Sequence, residues 1–485
     1  YTNQHTANIT ELTMITAWSF AAFLSVFVLI GLSSLFFNTH QSKDYYLASN
    51  TIKPWLVGLS AVATNNSGYM FIGVIGYTYT VGLSAFWVMV GWIFGDYIAS
   101  HFVHRKLRAT TEKTGEVSYL GVLANWNGAV LPNYQRLAAL ICILLLTAYA
   151  AAQLLAGSKA LHVLFDWPTW AGAVCGAVLV AAYCLAGGIR ASIWTDAAQS
   201  VVMISAMGIL MWVAVANLGG VSATLTALKD VPNYMDWFPE DLAFPGVPGA
   251  FLFALGWFFA GLSVVGQPHV MVRFMTLSSG DDMNRARVWY YLWFTAFYLM
   301  ATTVGLLSRL YLPEVGSFDA ELALPTMAQT LLPPVLVGLI LAGIFAATLS
   351  TADSLILSSS AAFTHDLVPK NIERPFLIKV STLGVCILAL AWALLSAQSV
   401  FAMVVMAWSG LASAFVPMLV VLIFGGRPSQ GVAIAMSCVG ITTALAWRYF
   451  DLHNMVYEGL PGIVAGVSVY WLAKPFTNSS KEPAH

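Results

Sequence analysis

Charge is what this sequence has least of. Only 9% of its 485 residues are Asp, Glu, Lys or Arg, 22 acidic against 21 basic, where a soluble domain carries about a quarter. That shortage excludes a solvated surface over most of the chain. The near-zero balance by itself says nothing about nucleic acid, because the distribution of charge between loops is what counts; no nucleic-acid partner is expected. Cysteine is scarce too. The five present, Cys142, Cys175, Cys184, Cys386 and Cys438, all fall within apolar runs with no paired spacing, which implies neither a disulfide framework nor a thiolate metal site. No phosphate-binding loop occurs, which argues against a primary pump; no catalytic residue is assigned, and the chain is not expected to be an enzyme. No cleavable leader is read either, since 12–37 has the length of a full span.

What the chain does have is apolar length: 59% of residues are hydrophobic and the mean hydropathy is +0.76. Crossing about 30 Å of hydrocarbon takes roughly 20 residues. Thirteen candidate spans follow, at 13–37, 54–78, 82–102, 134–163, 168–186, 191–218, 249–267, 286–311, 333–361, 376–397, 400–424, 429–449 and 456–473. An odd number puts the termini on opposite sides. With the N-terminus outside, the loops holding Lys43 and Lys53, Arg105, Lys106, Arg108 and Lys113, Arg190, Arg273, Arg285 and Arg287, Lys370, Arg374 and Lys379, and Arg427 face the cytoplasm. The alternate loops are acidic, with Asp230, Asp236, Glu240 and Asp241 in one and Glu314, Asp319 and Glu321 in another.

Two spans are interrupted. Thr64, Asn65, Asn66, Ser67 and Gly68 lie near the middle of 54–78, and Gly256, Gly261, Ser263, Gly266 and Pro268 loosen the span that begins at Gly249. Backbone polar groups at membrane depth must find partners or line a wet cavity, so a helix broken there offers free carbonyls to a cation and free N–H groups to an anionic or polar ligand. The second interruption starts five spans after the first and runs the opposite way, the mark of an inverted-repeat transporter with its site between the repeats.

Ser350, Thr351 and Ser354 fall at helical spacing around Asp353 on the ninth span, a face of hard oxygens suited to sodium. An intramembrane carboxylate needs a partner or a function. Asp196, near the end of the sixth span, is expected either to pair with Arg190 or to bind an ion; Asp96, on the third, is weighed toward packing or a water cavity. Polar or aromatic residues on spans flanking the breaks, Tyr149, Gln153, Trp257, Phe258, Trp408 and Ser409, form a candidate pocket.

Lys43-Asp-Tyr-Tyr-Leu-Ala48, Gly187-Gly with Trp194-Thr-Asp196, Gly266-Gln-Pro-His-Val-Met-Val-Arg-Phe-Met275, and Leu349-Ser-Thr through Ser358-Ser-Ser360 resemble the sodium/solute symporter family, most closely its proline permease branch. The resemblance covers about 40–474. It implies an all-α integral membrane protein with a LeuT-type inverted five-helix repeat and about 13 transmembrane helices. One extra helix and the first cytoplasmic loop would lie at 1–53, the first repeat at 54–218, an extracellular loop at 219–248, the second repeat at 249–424 and two final helices with a short tail at 425–485. It further implies a common sodium site from the carbonyls of Ala63, Asn66 and Ala347 and the hydroxyls of Ser350 and Thr351. A second sodium site, used by some members, maps to Asp196, Ser350, Asp353 and Ser354. Substrate would lie against Ser67, Gly68, Tyr149 and the seventh span.

Two departures from the branch stand out: Asn65 replaces an aspartate, and Ala260 and Val264 stand where proline permeases place a Trp and a Tyr. The expected function is sodium-coupled import of a small organic solute, an amino acid or other small carboxylate, across a bacterial-type inner membrane. The expected partners are that solute, sodium ions and the lipid bilayer. Proton coupling through Asp96, Asp196 or Asp353, or a transporter-like sensor, remain the alternatives.

Overall fold

A computed structural model describes residues 2–37, 42–312, 316, 319–368, 375–396 and 399–478. The described residues are helical almost throughout, with a single isolated parallel bridge between Ile52 and Leu277 as their β-pairing. Among them, ten helices are long and apolar enough to cross a membrane. Some of the thirteen expected spans fall short of that measure because they are broken or short, so thirteen is an approximate count. The five cysteines are free.

The elements that position the site are α1 (Thr2–Ser33), α2 (Pro54–Asn65), α3 (Ile75–Val81), α4 (Phe86–Thr114), α5 (Pro132–Phe165), α6 (Thr169–Asn217), α7 (Val247–Leu262), α8 (Pro268–Met275), α9 (Met283–Tyr311), α10 (Pro334–Ala361), α11 (Pro375–Leu395), α12 (Val400–Ile423), α13 (Gln430–Tyr449) and α14 (Gly459–Asn478). The expected spans 168–186 and 191–218 run together as α6, bent at Gly188, whose φ of 60° only glycine adopts readily.

The two interruptions have different causes. α2 ends at Asn66 (φ −93°, ψ 71°), and the chain resumes as a π-helical turn, Tyr69–Val74, that leads into α3. Between α7 and α8, Pro268 lacks an N–H and forces the residue before it out of the helical region; Gln267 accordingly sits at φ −97°, ψ 104°. The Gln267 amide makes good part of the loss by donating to the carbonyls of Ser263 (3.2 Å) and Trp408 (3.0 Å). A Cβ on Gly266 would stand 2.6 Å from Val416 Cγ2, so glycine lets the break lie directly on α12.

α10 is the axis of the bundle. Twenty-four of its 28 residues are buried, and it packs on α1, α2, α5 and α6. A helix buried on all sides needs no amphipathic stripe. Its hydroxyl-bearing stretch therefore faces protein, chiefly the break after α2 and the middle of α6.

Candidate functional site

The end of α2 meets α10 through hydroxyl-to-carbonyl bonds. Ser350 Oγ lies 3.2 Å from the Ala63 carbonyl and 3.1 Å from that of Ala347, and Thr351 Oγ1 donates to the Thr64 carbonyl at 3.0 Å. All five residues are buried. Four of the five residues expected at the common sodium site thus meet, Thr351 by way of Thr64. Asn66 closes α2 with its side chain turned back onto the Val62 carbonyl (3.0 Å). The donor set is neutral, hard oxygen, which fits sodium and not a transition metal. No group of three or more His, Cys, Asp or Glu that could hold a metal occurs among the described residues.

One turn along α10 lies a second polar cluster. Asp353 Oδ1 accepts from Ser192 Oγ (3.1 Å) and lies 3.0 Å from Ser354 Oγ; Asp196 Oδ2 accepts from Ser60 Oγ at 2.6 Å. Between the two acids stands the guanidinium of Arg273, fully buried, with Nη2 3.4 Å from Asp196 Oδ2 and 4.0 Å from Asp353 Oδ1. The same nitrogen donates to Ser192 Oγ at 2.6 Å and to Ser354 Oγ.

This corrects two expectations. The cation beside Asp196 and Asp353 is Arg273; Arg190 instead donates to the Ala48 carbonyl (3.0 Å) and to Thr51 Oγ1 (3.3 Å). Arg273 is also no loop residue, because it lies on α8, which starts after the break and keeps it in the core. Sequence reasoning missed Arg273, Ser192 and Ser60. The available signal was an arginine five residues beyond a helix-breaking proline.

The third cluster surrounds the break between α2 and α3. The Gly68 N–H donates to Gln153 Oε1 (2.9 Å), and the Tyr149 hydroxyl lies 3.2 Å from Ser67 Oγ. Tyr149, His269 and Trp408 meet edge to face, with centroids 5.4 to 6.2 Å apart. Ala260 and Val264 are both buried, and the Ala260 carbonyl accepts from Trp408 Nε1 at 3.2 Å. Several buried polar atoms here have no hydrogen-bond partner: Gln153 Nε2, Gln267 Oε1, both ring nitrogens of His269 and the Tyr69 hydroxyl. Buried polar groups are nearly always paired, and unpaired ones converging at a helix break mark a place for a polar ligand.

The other candidates are placed differently. Asn65 donates to the Tyr290 hydroxyl (2.6 Å), toward α9. Trp257 stacks on Trp92 (6.5 Å) and, with Tyr77, Phe253, Phe401 and Tyr457, lines a separate cavity of about 260 Å³. Phe258 packs on Phe94, which is exposed. Ser409 donates to Glu458, which pairs with Arg448. Both carboxylate oxygens of Asp96 are buried, beside the hydroxyls of Tyr290 and Tyr291. His269, Gln267 and Tyr69 join the cluster, although the sequence offered them only as part of a motif or a span.

The sequence model of the "Sodium:solute symporter family" matches residues 45–440. The chain belongs to that family. It is accordingly a multi-pass membrane transporter and not an enzyme. A high-affinity proline transporter, PutP, of Bacillus subtilis (strain 168) is 28% identical over 448 residues, covering 90% of this chain and 93% of the relative. A sodium/proline symporter of Staphylococcus aureus (strain JH9) is 28% identical over 480 residues, covering 94% and 92%. Among solved structures, a Na⁺-coupled sialic acid symporter in a substrate-bound outward-open state matches with a TM-score of 0.80 at 19% identity, over 95% of this chain and 97% of that one. Mhp1, a nucleobase-cation-symport-1 transporter in a closed conformation, matches with a TM-score of 0.57 at 14% identity, over 90% and 94%. These likenesses fix the fold as the LeuT-type inverted repeat.

Proposed function

We propose that this symporter imports a small carboxylate-bearing solute, an amino acid related to proline, driven by sodium bound between α2 and α10. The observation that carries this reading is the set of buried, unpartnered polar atoms around the α2–α3 break, which follows directly on the carbonyls that Ser350 and Thr351 address. The free Gln153 amide nitrogen and the one ring nitrogen of His269 that carries a proton suit a carboxylate, and the aromatic edges of Tyr149 and Trp408 suit an apolar ring or chain. The proline-transporting relatives support the substrate class. Ala260 and Val264 leave the seventh span without the large side chains of the proline branch, so a substrate bulkier than proline fits this chain better.

The two repeats are assigned to 54–218 and 249–424, with 1–53 before them, 219–248 between them and 425–485 after them. The basic loops face the cytoplasm and the N-terminus lies outside; removing buried Arg273 from the loop count leaves that assignment standing on the other lysines and arginines. One sodium ion supplies about 2.3 kcal/mol per 100 mV of membrane potential.

A thermal-shift screen of amino acids and small acids, run in sodium and again in potassium, tests this. A ligand that stabilises the protein only in sodium is the expected result. Equal stabilisation in both salts, or sodium-free uptake driven by an imposed pH gradient, would overturn the sodium coupling.

A further inference from the structure

The second sodium position of the family does not fit this chain as it is built. We propose that Arg273 is the permanent cation of that position, so that the protein binds and carries one sodium ion where members that use the second site bind two. This rests on the sodium-coupled reading given above.

The geometry is that of an occupied ion site. A single nitrogen, Arg273 Nη2, stands among Asp196 Oδ2 (3.4 Å), Asp353 Oδ1 (4.0 Å), Ser192 Oγ (2.6 Å) and Ser354 Oγ. Three of those four oxygens belong to residues that would otherwise ligate the second ion. The guanidinium is fully buried, and its Nε and Nη1 make no hydrogen bond, so it is held at one nitrogen, much as an ion is held at one point. Arginine keeps its charge in proteins, and the short helix α8 anchors it. It cannot be released to the cytoplasm and so contributes nothing to coupling.

Charge points the same way. Asp196 and Asp353 supply at most two negative charges and Arg273 offsets one of them, leaving at most one in a region closed to solvent. The common site adjoins this cluster directly. Ser354 Oγ donates to the Ser350 carbonyl (2.6 Å), and Thr64 Oγ1 lies 3.3 Å from Ser354 Oγ while the Thr64 carbonyl accepts from Thr351. One sodium ion at the common site is as much positive charge as the region can compensate. A second would leave a buried, uncompensated positive charge, which is strongly disfavoured. Asp353 supplies the surplus negative charge, and Asn65 on α2 is neutral. The carboxylate that favours the ion therefore sits on α10.

The test is equilibrium binding of ²²Na⁺ to the purified full chain in lipid nanodiscs, with sodium-dependent thermal stabilisation as a second readout. Wild type is expected to saturate at one sodium per chain with a steepness near one. Two per chain would overturn the inference while leaving sodium coupling intact; none would overturn the coupling itself. Arg273→Gln removes the fixed charge and is expected to raise the stoichiometry to two, whereas Arg273→Lys keeps it at one. Arg273→Gln that folds and still binds one ion with unchanged affinity would refute the proposal. Should Arg273→Gln not fold, Asp353→Asn decides. It is expected to weaken the single sodium roughly tenfold, the scale on which one nearby charge moves an ionic equilibrium, without changing stoichiometry. Unchanged affinity, or a fall from two ions to one, would count against the assignment.

Discussion

Glu321 ties three elements together at one end of the transporter, and neutralising it should loosen that end. The residue lies in the turn before the helix Ala323–Leu331, and its carboxylate accepts from the Val400 N–H (3.0 Å) and the Phe401 N–H (2.8 Å) at the start of α12. It also pairs with Lys159 of α5 at 2.6 Å, and its side chain is only 7% exposed. Three elements thus converge on one acid, whose negative charge suits a helix N-terminus. Phe401, fixed by this contact, stacks on Tyr77 (4.9 Å) and Tyr69 (5.3 Å) between the cavity beside Trp257 and the α2–α3 break.

Glu321→Gln keeps the shape and one acceptor but turns an NH₂ toward N–H donors and removes the ion pair. Charge-assisted hydrogen bonds are worth about 1.5–3 kcal/mol each. Allowing for water replacing part of the loss, roughly 2 kcal/mol of closure is removed, near a thirtyfold shift toward the open form. The assay is the rate at which an impermeant thiol reagent modifies Ala402→Cys on the cavity wall, in a chain whose exposed Cys438 has been replaced. The rate should rise at least tenfold in Glu321→Gln. An unchanged rate would mean that the carboxylate only decorates the surface of a lid held elsewhere.

Three further outcomes are expected. Ser350→Ala and Thr351→Ala each remove one hydroxyl oxygen from the α2–α10 junction; the sodium concentration for half-maximal uptake should rise about tenfold for each, at 1–2 kcal/mol per lost contact, and unchanged half-saturation in both would remove them from the site. Ala260→Trp fills the wall beside Trp408 and should block uptake of the native substrate, so wild-type transport by this variant would place the pocket away from α7. Gly68→Ala puts a Cβ 2.4 Å from Thr348 Cγ2 and should destabilise the fold by about 1–3 kcal/mol. Thr348→Ser, which keeps the hydroxyl but removes that methyl, should rescue most of the loss, whereas additive effects of the two changes would refute the contact.

The fold was legible because its causes are local. Apolar runs of membrane length, a proline that must break α7 from α8, and a run of small polar residues after Ala63 can each be seen without knowing what packs against them. The meeting of α2 with α10 was legible through the family resemblance, since the spacing of Ser350 and Thr351 shows a shared face but not its partner. Asn65 shows the limit. Its position at the end of α2 is plain from the sequence, but its direction, toward Tyr290 on α9 and away from Ser350, depends on the turn at which the helix stops.

Arg273 shows the same limit more sharply. In a continuous span, distance along the sequence measures depth at about 1.5 Å per residue, so an arginine near the end of an apolar run belongs to the adjoining loop. That rule fails once the helix breaks. Gln267 takes an extended conformation and α8 starts afresh after it, with His269, Val270, Met271 and Arg273 all buried. The same break that frees backbone groups for ligand thus delivers a fixed positive charge to the acids of α6 and α10. Positive-inside counting needs to exclude basic residues in the second half of an interrupted helix, and intramembrane acids are best matched first to those residues before any ion is assigned to them.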